Sequence, residues 1–257
     1  MMQFYKKPFL PLIKALVCRV ENRHFTEPPV FIGGCARSGT TLLLSVLSAH
    51  KELFCVPREV SAFAEISEDK QGNPYPDRID RLYTAFLRYK IQPTANRFCE
   101  KTPRNIRRIN EIDKFYSGRF RFIHIIRDGR DVVLSRHPKG EDGYWVPPQR
   151  WVDDVNEGLK YADHPNVYTI KYEELIENFE PTMKGVCEFL NIPWSSEMEA
   201  WLEHSRVQRN VAYFGRQVQP LSNKSIGKWQ KPENKDRVDT FLNYPGAKDL
   251  LEQLGYF

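Results

Sequence analysis

The sequence predicts an α/β domain with a central, mainly parallel sheet flanked by helices. Short apolar runs alternate along the chain with stretches of helical apolar spacing, and the first such run ends in a glycine-rich turn that leads straight into a helix. With 257 residues, of which 41% are hydrophobic and 28% charged, the chain has enough apolar material to bury both faces of such a sheet.

Each element follows from local pattern. Val30-Phe31-Ile32 comes after Pro28-Pro29 and ends in Gly33-Gly34, as a buried strand entering a tight turn does. A helix is expected from Thr40, because Leu42, Leu43, Val46 and Leu47 recur at helical spacing as far as His50. Leu53 to Val56 reads as a second strand closed by Pro57. Residues 78–90 and 105–115 read as helices, with a strand at Asn96–Glu100 between them. Phe120–Ile126 is a strong strand signal, and Asp131-Val132-Val133-Leu134 is expected to begin a helix directly behind it. Val167–Ile170 reads as another strand, 173–190 and 197–204 as helices, Pro220 to Pro232 as loop, and 246–254 as a closing helix. No repeat or long linker divides the chain, so a single domain over 1–257 is expected, with 1–27 as an N-terminal segment and 28–257 as its core.

Composition removes several function classes. Mean hydropathy is −0.56 and no apolar run approaches the ~18 residues that span a bilayer, which argues against an integral membrane protein. The net charge of +5, from 38 Lys and Arg against 33 Asp and Glu, suits an anionic ligand. The basic residues sit in discrete motifs and form no continuous run, so nucleic acid is not the expected partner. Five widely spaced cysteines support neither a disulfide scaffold nor a Cys-x-x-Cys metal site, and reduced thiols in a cytoplasm are the simplest reading. At the N-terminus, Pro11 and Lys14 interrupt the apolar stretch that a signal peptide would need. Phe9, Leu12, Ile13, Leu16 and Val17 fall on one helical face, which leaves two readings for residues 1–25: peripheral contact with a membrane, or the commoner packing against the domain itself.

In such a sheet, ligands bind beyond the carboxyl ends of the strands, and two turns there carry anion chemistry. Gly34-Cys35-Ala36-Arg37-Ser38-Gly39-Thr40-Thr41 has the G-x-x-x-x-G spacing of a P-loop between strand and helix, where backbone N–H groups cradle a phosphate. Thr40 stands where a nucleoside triphosphatase carries its lysine, and the cation is Arg37, inside the loop. Phe120–Ile126 runs into Arg127 before Asp128, so the strand end offers no acidic magnesium ligand. A P-loop nucleotide-binding fold holding a phosphate without metal and without a γ-phosphate is therefore expected. On the second turn, Arg127 offers a fork of donors and Ser135 a hydroxyl, a pair suited to a single phosphate.

These residues resemble a known family. Arg37-Ser38-Gly39-Thr40-Thr41 is similar to the 5′-phosphosulfate loop of sulfotransferases that use 3′-phosphoadenosine 5′-phosphosulfate (PAPS), and Arg127 to Ser135 resembles their 3′-phosphate motif, in which the serine lies on the helix after the strand. Ile170 to Leu175 is similar to the family's segment that places a tyrosine, here Tyr172, near the nucleotide. Ser225-Ile226-Gly227-Lys228-Trp229 resembles the loop that covers the cofactor in bacterial and protein-tyrosine members, and Leu250 to Tyr256 the helix that ends many bacterial ones.

The resemblance also implies the chemistry. Leu47 to Phe63 is similar to a stretch of glycosaminoglycan O-sulfotransferases whose glutamate activates the acceptor hydroxyl, which makes Glu59 the expected general base. Glu100-Lys101-Thr102-Pro103 resembles the segment whose lysine lies near the transferred sulfuryl group, so Lys101 and Arg37 are expected to stabilise charge. His50, at the end of the first helix, is expected to cap or pack. PAPS is the implied donor, with no metal, and the acceptor a hydroxyl of a carbohydrate or glycolipid. Residues 58–63 lack the histidine and aromatic that follow the glutamate in the glycosaminoglycan enzymes, so tyrosine and small-molecule acceptors stay open. A P-loop kinase and a non-catalytic nucleotide-binding module are the alternatives from other classes. A cytoplasmic location is expected.

Overall fold

Apolar residues on both sides of a strand demand cover on both faces, and the observed sheet supplies it. The computed structural model describes residues 24–69, 71–136, 143–207 and 219–257. The strands β1 (Val30–Gly33), β2 (Leu53–Cys55), β5 (Arg97–Lys101), β6 (Arg121–Ile126) and β7 (Val167–Lys171) form a parallel sheet in the order β2-β5-β1-β6-β7. Ile32 lies opposite Lys101 on one side and Ile123 on the other. The period of two then divides the core. Val30, Ile32, Ile123 and Ile125 face one cluster with Leu43, Leu44 and Met183, while Phe31, Phe98 and Phe122 face a second with Phe54, Phe63 and Phe86.

The helices follow this division. α1 (Thr40–Leu47) supplies Leu43 and Leu44 to the first cluster, and α2 (Ile79–Arg88) supplies Phe86 to the second. The helix expected over 105–115 opens as a tight 3₁₀ segment, Pro103–Arg108, and continues as α3 (Ile109–Tyr116). Behind β6 comes a single turn, α4 (Gly129–Val132), shorter than expected and begun two residues earlier. α5 (Pro148–Leu159), which the sequence reading passed over, buries Trp151, Val152 and Val155. The stretch 173–190 is broken at Asn178 into α6 (Tyr172–Glu177) and α7 (Phe179–Leu190), and 197–204 at Ala200 into α8 (Ser196–Glu199) and α9 (Trp201–His204). The expected loop from Pro220 to Pro232 contains the 3₁₀ turns Asn223–Ser225 and Lys228–Gln230. α10 (Lys235–Leu242), also unforeseen, and α11 (Ala247–Gln253) close the chain over a third cluster around Trp151, Phe241 and Leu251. The small antiparallel hairpin β3 (Ile66–Glu68) and β4 (Pro74–Pro76) was likewise not foreseen.

The order of strands locates the site. From β1 the chain moves to one flank for β2 and β5, then crosses to the other for β6 and β7, so the carboxyl end of β1 is the point where the winding reverses. The turns after β1, β5, β6 and β7 all open there. Among the described residues no helix is long and apolar enough to cross a membrane. The expectation of membrane or domain contact through residues 1–25 falls almost wholly outside the described residues.

Candidate active site

The turn after β1 carries two glycines that no other residue could replace without strain. Gly34 has φ +150°, and a Cβ there would come within 2.3 Å of the Ile125 carbonyl oxygen. At Gly39 φ is +96° and a Cβ would lie 2.4 Å from the Tyr172 ring. α1 then starts at Thr40 with no side chain capping it, so the N–H groups of its first turn and the positive end of its dipole face the turn. Ser38 is fully buried and its Oγ has no partner among the described residues.

Arg127, at the end of β6, closes over this turn. Its Nη1 donates to the Arg37 carbonyl at 3.0 Å and its Nη2 to that of Ser225 at 2.5 Å, with the guanidinium 4.4 Å from the centre of the Tyr172 ring. Its buried Nε has no partner among the described residues. Two buried donors left over, Ser38 Oγ and Arg127 Nε, fit a ligand carrying phosphates, since such groups are costly to bury unmatched. Tyr172 Oη and Ser225 Oγ are 2.8 Å apart, which ties the turn after β7 to the late loop.

That loop is fastened by residues the sequence reading did not single out. Asp131 accepts from the N–H groups of Gly227 at 2.8 Å and Trp229 at 3.1 Å, and burial raises its pKa. Arg130 lies 3.7 Å over the half-buried Trp229 ring and is paired with Asp128 at 2.8 Å, so Trp229 is stacked at the surface and is not a core residue. Their signal was present: both belong to the Arg127–Ser135 motif, but their partners lie nearly a hundred residues away. Lys228 is exposed. Ser135 is not on a helix as expected. It follows the end of α4, its N–H bonded to the Val132 carbonyl at 3.1 Å and its carbonyl accepting from Trp145 N at 2.9 Å.

The third group spans β5 and the loop after β2. Lys101 ends β5 fully buried, with its Nζ donating to Thr41 Oγ1 at 3.0 Å and paired with Glu59 Oε1. The Glu59 side chain is 41% exposed, so one end of this chain of contacts meets solvent and the other meets the P-loop. Behind it, buried Glu100 accepts from Thr102 Oγ1 and Asn105 Nδ2, both at 2.6 Å, and burial raises its pKa. Thr102 Oγ1 in turn accepts from Ser61 N at 3.1 Å, fixing the loop that carries Glu59. His50 is withheld from chemistry: its Nδ1 accepts from Glu52 N at 3.2 Å and its Nε2 donates to the Pro193 carbonyl at 3.0 Å. It packs, as expected from its place after α1.

The sulfotransferase domain family model matches residues 27–212. The chain belongs to the sulfotransferase family. It is similar to protein-tyrosine sulfotransferase 1 of Danio rerio, with 26% identity over 268 residues that cover 89% of this chain and 72% of that protein. Protein-tyrosine sulfotransferase A of Caenorhabditis elegans is 25% identical, over 90% of this chain and 68% of that one. Among solved structures, the sulfotransferase domain from the curacin biosynthetic pathway shares the fold at a TM-score of 0.58 and 19% identity, covering 91% of this chain and 99% of that domain. Mouse sulfotransferase SULT7A1, solved with PAP, gives 0.51 at 17%, over 95% and 94% of the two chains.

In this sulfotransferase Arg37, Ser38 and Gly39 lead into Thr40 and Thr41 at the start of α1, and Arg127, Tyr172 and Ser225 converge on that turn. Gly227 and Trp229 are held alongside by Asp131. Among the described residues, no group of three or more His, Cys, Asp or Glu side chains is placed to hold a metal ion. A cavity of about 340 Å³ opens beside Thr102, lined by Phe63, Ala64 and Asn105 together with Arg104, Arg107, Arg108, Arg150 and Asp154.

Proposed function

We propose that this sulfotransferase transfers a sulfuryl group from PAPS to a hydroxyl of a carbohydrate or glycolipid, with Glu59 as general base. The observation that carries the reading is the contact chain from Glu59 through Lys101 to Thr41, which joins a solvent-facing carboxylate to the P-loop. PAPS, when bound, supplies the activated sulfuryl group. Ser38, Gly39, Thr40 and Thr41 hold its 5′-phosphate side; Arg127 and Ser135 hold the 3′-phosphate; Tyr172, Ser225, Gly227, Lys228 and Trp229 cover the nucleotide. Glu59 takes the proton from the acceptor oxygen as that oxygen bonds to sulfur, and Arg37 and Lys101 stabilise the charge that builds as the bond from sulfur to the phosphate oxygen breaks.

The cavity supports a polyhydroxylated acceptor. Phe63 and Ala64 in its wall belong to the loop that carries Glu59, Thr102 follows Lys101, and most of the remaining lining offers hydrogen-bond donors. A second reading, sulfation of tyrosine, is favoured by the relatives named protein-tyrosine sulfotransferases.

Calorimetric titration of wild type and Arg127→Ala with adenosine 3′,5′-bisphosphate, and with ATP plus magnesium, tests the donor. Metal-independent binding of the bisphosphate that collapses in the variant is expected; binding of ATP alone would replace this reading with a kinase. Radiolabelled PAPS offered with saccharide and with tyrosine-peptide acceptors then separates the two acceptor classes.

A further inference from the structure

The cavity beside Thr102 holds more positive charge than sulfuryl transfer uses. Four arginines line it against one carboxylate, Asp154. Asp154 is almost fully buried and is shared: Arg107 Nε donates to one oxygen at 2.5 Å, and Arg150 Nε lies 3.5 Å from the other. Asp153 Oδ2 also lies 3.9 Å from Arg107 Nη2, so Arg107 meets two carboxylates while Arg150 shares Asp154 with it. Arg108 is paired with Glu111 at 2.9 Å and donates to the Ala64 carbonyl at 3.3 Å, which positions it in the wall. Arg104 is exposed and has no ion-pair partner among the described residues. Around these side chains the protein provides fixed forks of N–H donors in a recess, the arrangement that recognises planar or tetrahedral oxyanions.

We propose that this cavity seats an anionic substituent of the acceptor, so that the acceptor is a charged saccharide carrying a carboxylate, phosphate or sulfate group. The inference rests on the saccharide reading above and deepens it. An oxyanion held by Arg104, Arg107 and Arg108 anchors the acceptor at Phe63 and Thr102, the part of the cavity that adjoins Glu59 and Lys101 in sequence, and leaves a neighbouring hydroxyl for the base. Arg107 also borders a second depression of about 370 Å³ with Asp153, Asn156, Glu157 and Lys160, whose charges are paired, which gives room for a further, uncharged sugar unit.

The test is calorimetry on the full chain with saturating adenosine 3′,5′-bisphosphate. The titrants are a disaccharide ending in glucuronate, the matched disaccharide ending in glucose, a sugar 6-phosphate, and an acidic tyrosine peptide. Wild type is compared with Arg104→Gln and Arg107→Gln, and unchanged bisphosphate affinity shows that each variant is folded; Arg104→Gln, which breaks no ion pair, keeps the test available if Arg107→Gln is not. The proposal expects an anionic sugar to bind at least tenfold more tightly than the neutral one, about the scale of one charge-assisted hydrogen bond, and expects that advantage to vanish in Arg104→Gln. Whether uronate or phosphate binds better identifies the substituent. Equal binding of charged and neutral sugars overturns the anion site while leaving the saccharide reading standing. Binding of the peptide and of no sugar overturns both.

Discussion

Tyr172 lies so close over Gly39 that a Cβ at that glycine would meet its ring at 2.4 Å. The P-loop and the turn after β7 are thus in van der Waals contact, and the same tyrosine is stacked by Arg127 and bonded to Ser225. Gly39→Ala forces a left-handed backbone on an L-residue, costing about 1–2 kcal/mol, and displaces the ring as well. Bisphosphate affinity should fall by more than tenfold in a variant that still shows a cooperative unfolding transition; unchanged affinity would mean that the turn does not hold the nucleotide.

Removing the base should separate chemistry from binding. Glu59→Gln keeps the shape of the side chain and is expected to lower kcat by about 10²–10⁴-fold, the range for general-base catalysis, with bisphosphate binding unaltered. Steady-state kinetics with calorimetry of the same preparation would decide it, and an active variant would remove Glu59 from the mechanism.

The late loop is fastened by one carboxylate. Asp131→Ala leaves the N–H groups of Gly227 and Trp229 without their acceptor. With about 1–3 kcal/mol lost for such groups, a roughly tenfold or larger loss of bisphosphate affinity is expected, expressed as faster release in stopped-flow displacement. A loss confined to the association rate would contradict the loop's role as a cover.

His124 sets a pH dependence of stability. It is wholly buried on β6 with neither ring nitrogen bonded among the described residues, and burial lowers its pKa from 6.5 to about 3. Between those values the unfolded chain binds a proton that the folded chain refuses, so acid favours unfolding; above 6.5 both forms are neutral and the residue contributes nothing. The folded state should lose about 1.4 kcal/mol for each pH unit below that point. Urea denaturation from pH 7.5 to 5 should show this slope, and His124→Phe should lack it; identical slopes in the two proteins would refute the assignment. The comparison is needed because buried Glu100, whose pKa is raised, acts in the opposite sense.

What the sequence reveals and what it hides both have physical causes. β1, β2, β5, β6 and β7 are legible because short apolar runs bounded by Pro, Gly or charge have few other uses. The P-loop is legible because phosphate cradles need glycine at fixed intervals. α10 escapes notice since only Val238 and Phe241 of its eight residues are buried, and the β3–β4 hairpin because its strands are short, bury only Pro76 and carry Pro74 as well. Asn178 breaks a helix three residues before Pro181, which has no N–H for the Glu177 carbonyl, whereas no proline or glycine adjoins the break at Ala200. In the site, residues that touch ligand-sized space follow local patterns, whereas Asp131 and Arg130 act on backbone or a ring brought near only by folding.

The reversal of winding at β1 gives the molecule two separable halves. Most of what is proposed for the acceptor lies between Glu59 and Arg108 on the β2–β5 flank, with α5 contributing Arg150, Asp154 and the wall of the second depression, and everything proposed to clamp the 3′ end of the donor comes from β6 onward. The two meet along the P-loop and where Arg107 pairs with Asp154. A segment exchange confined to residues 58–108 would therefore change what is modified while leaving the donor handle as it is, and the boundary for such a graft is already drawn by the central strand.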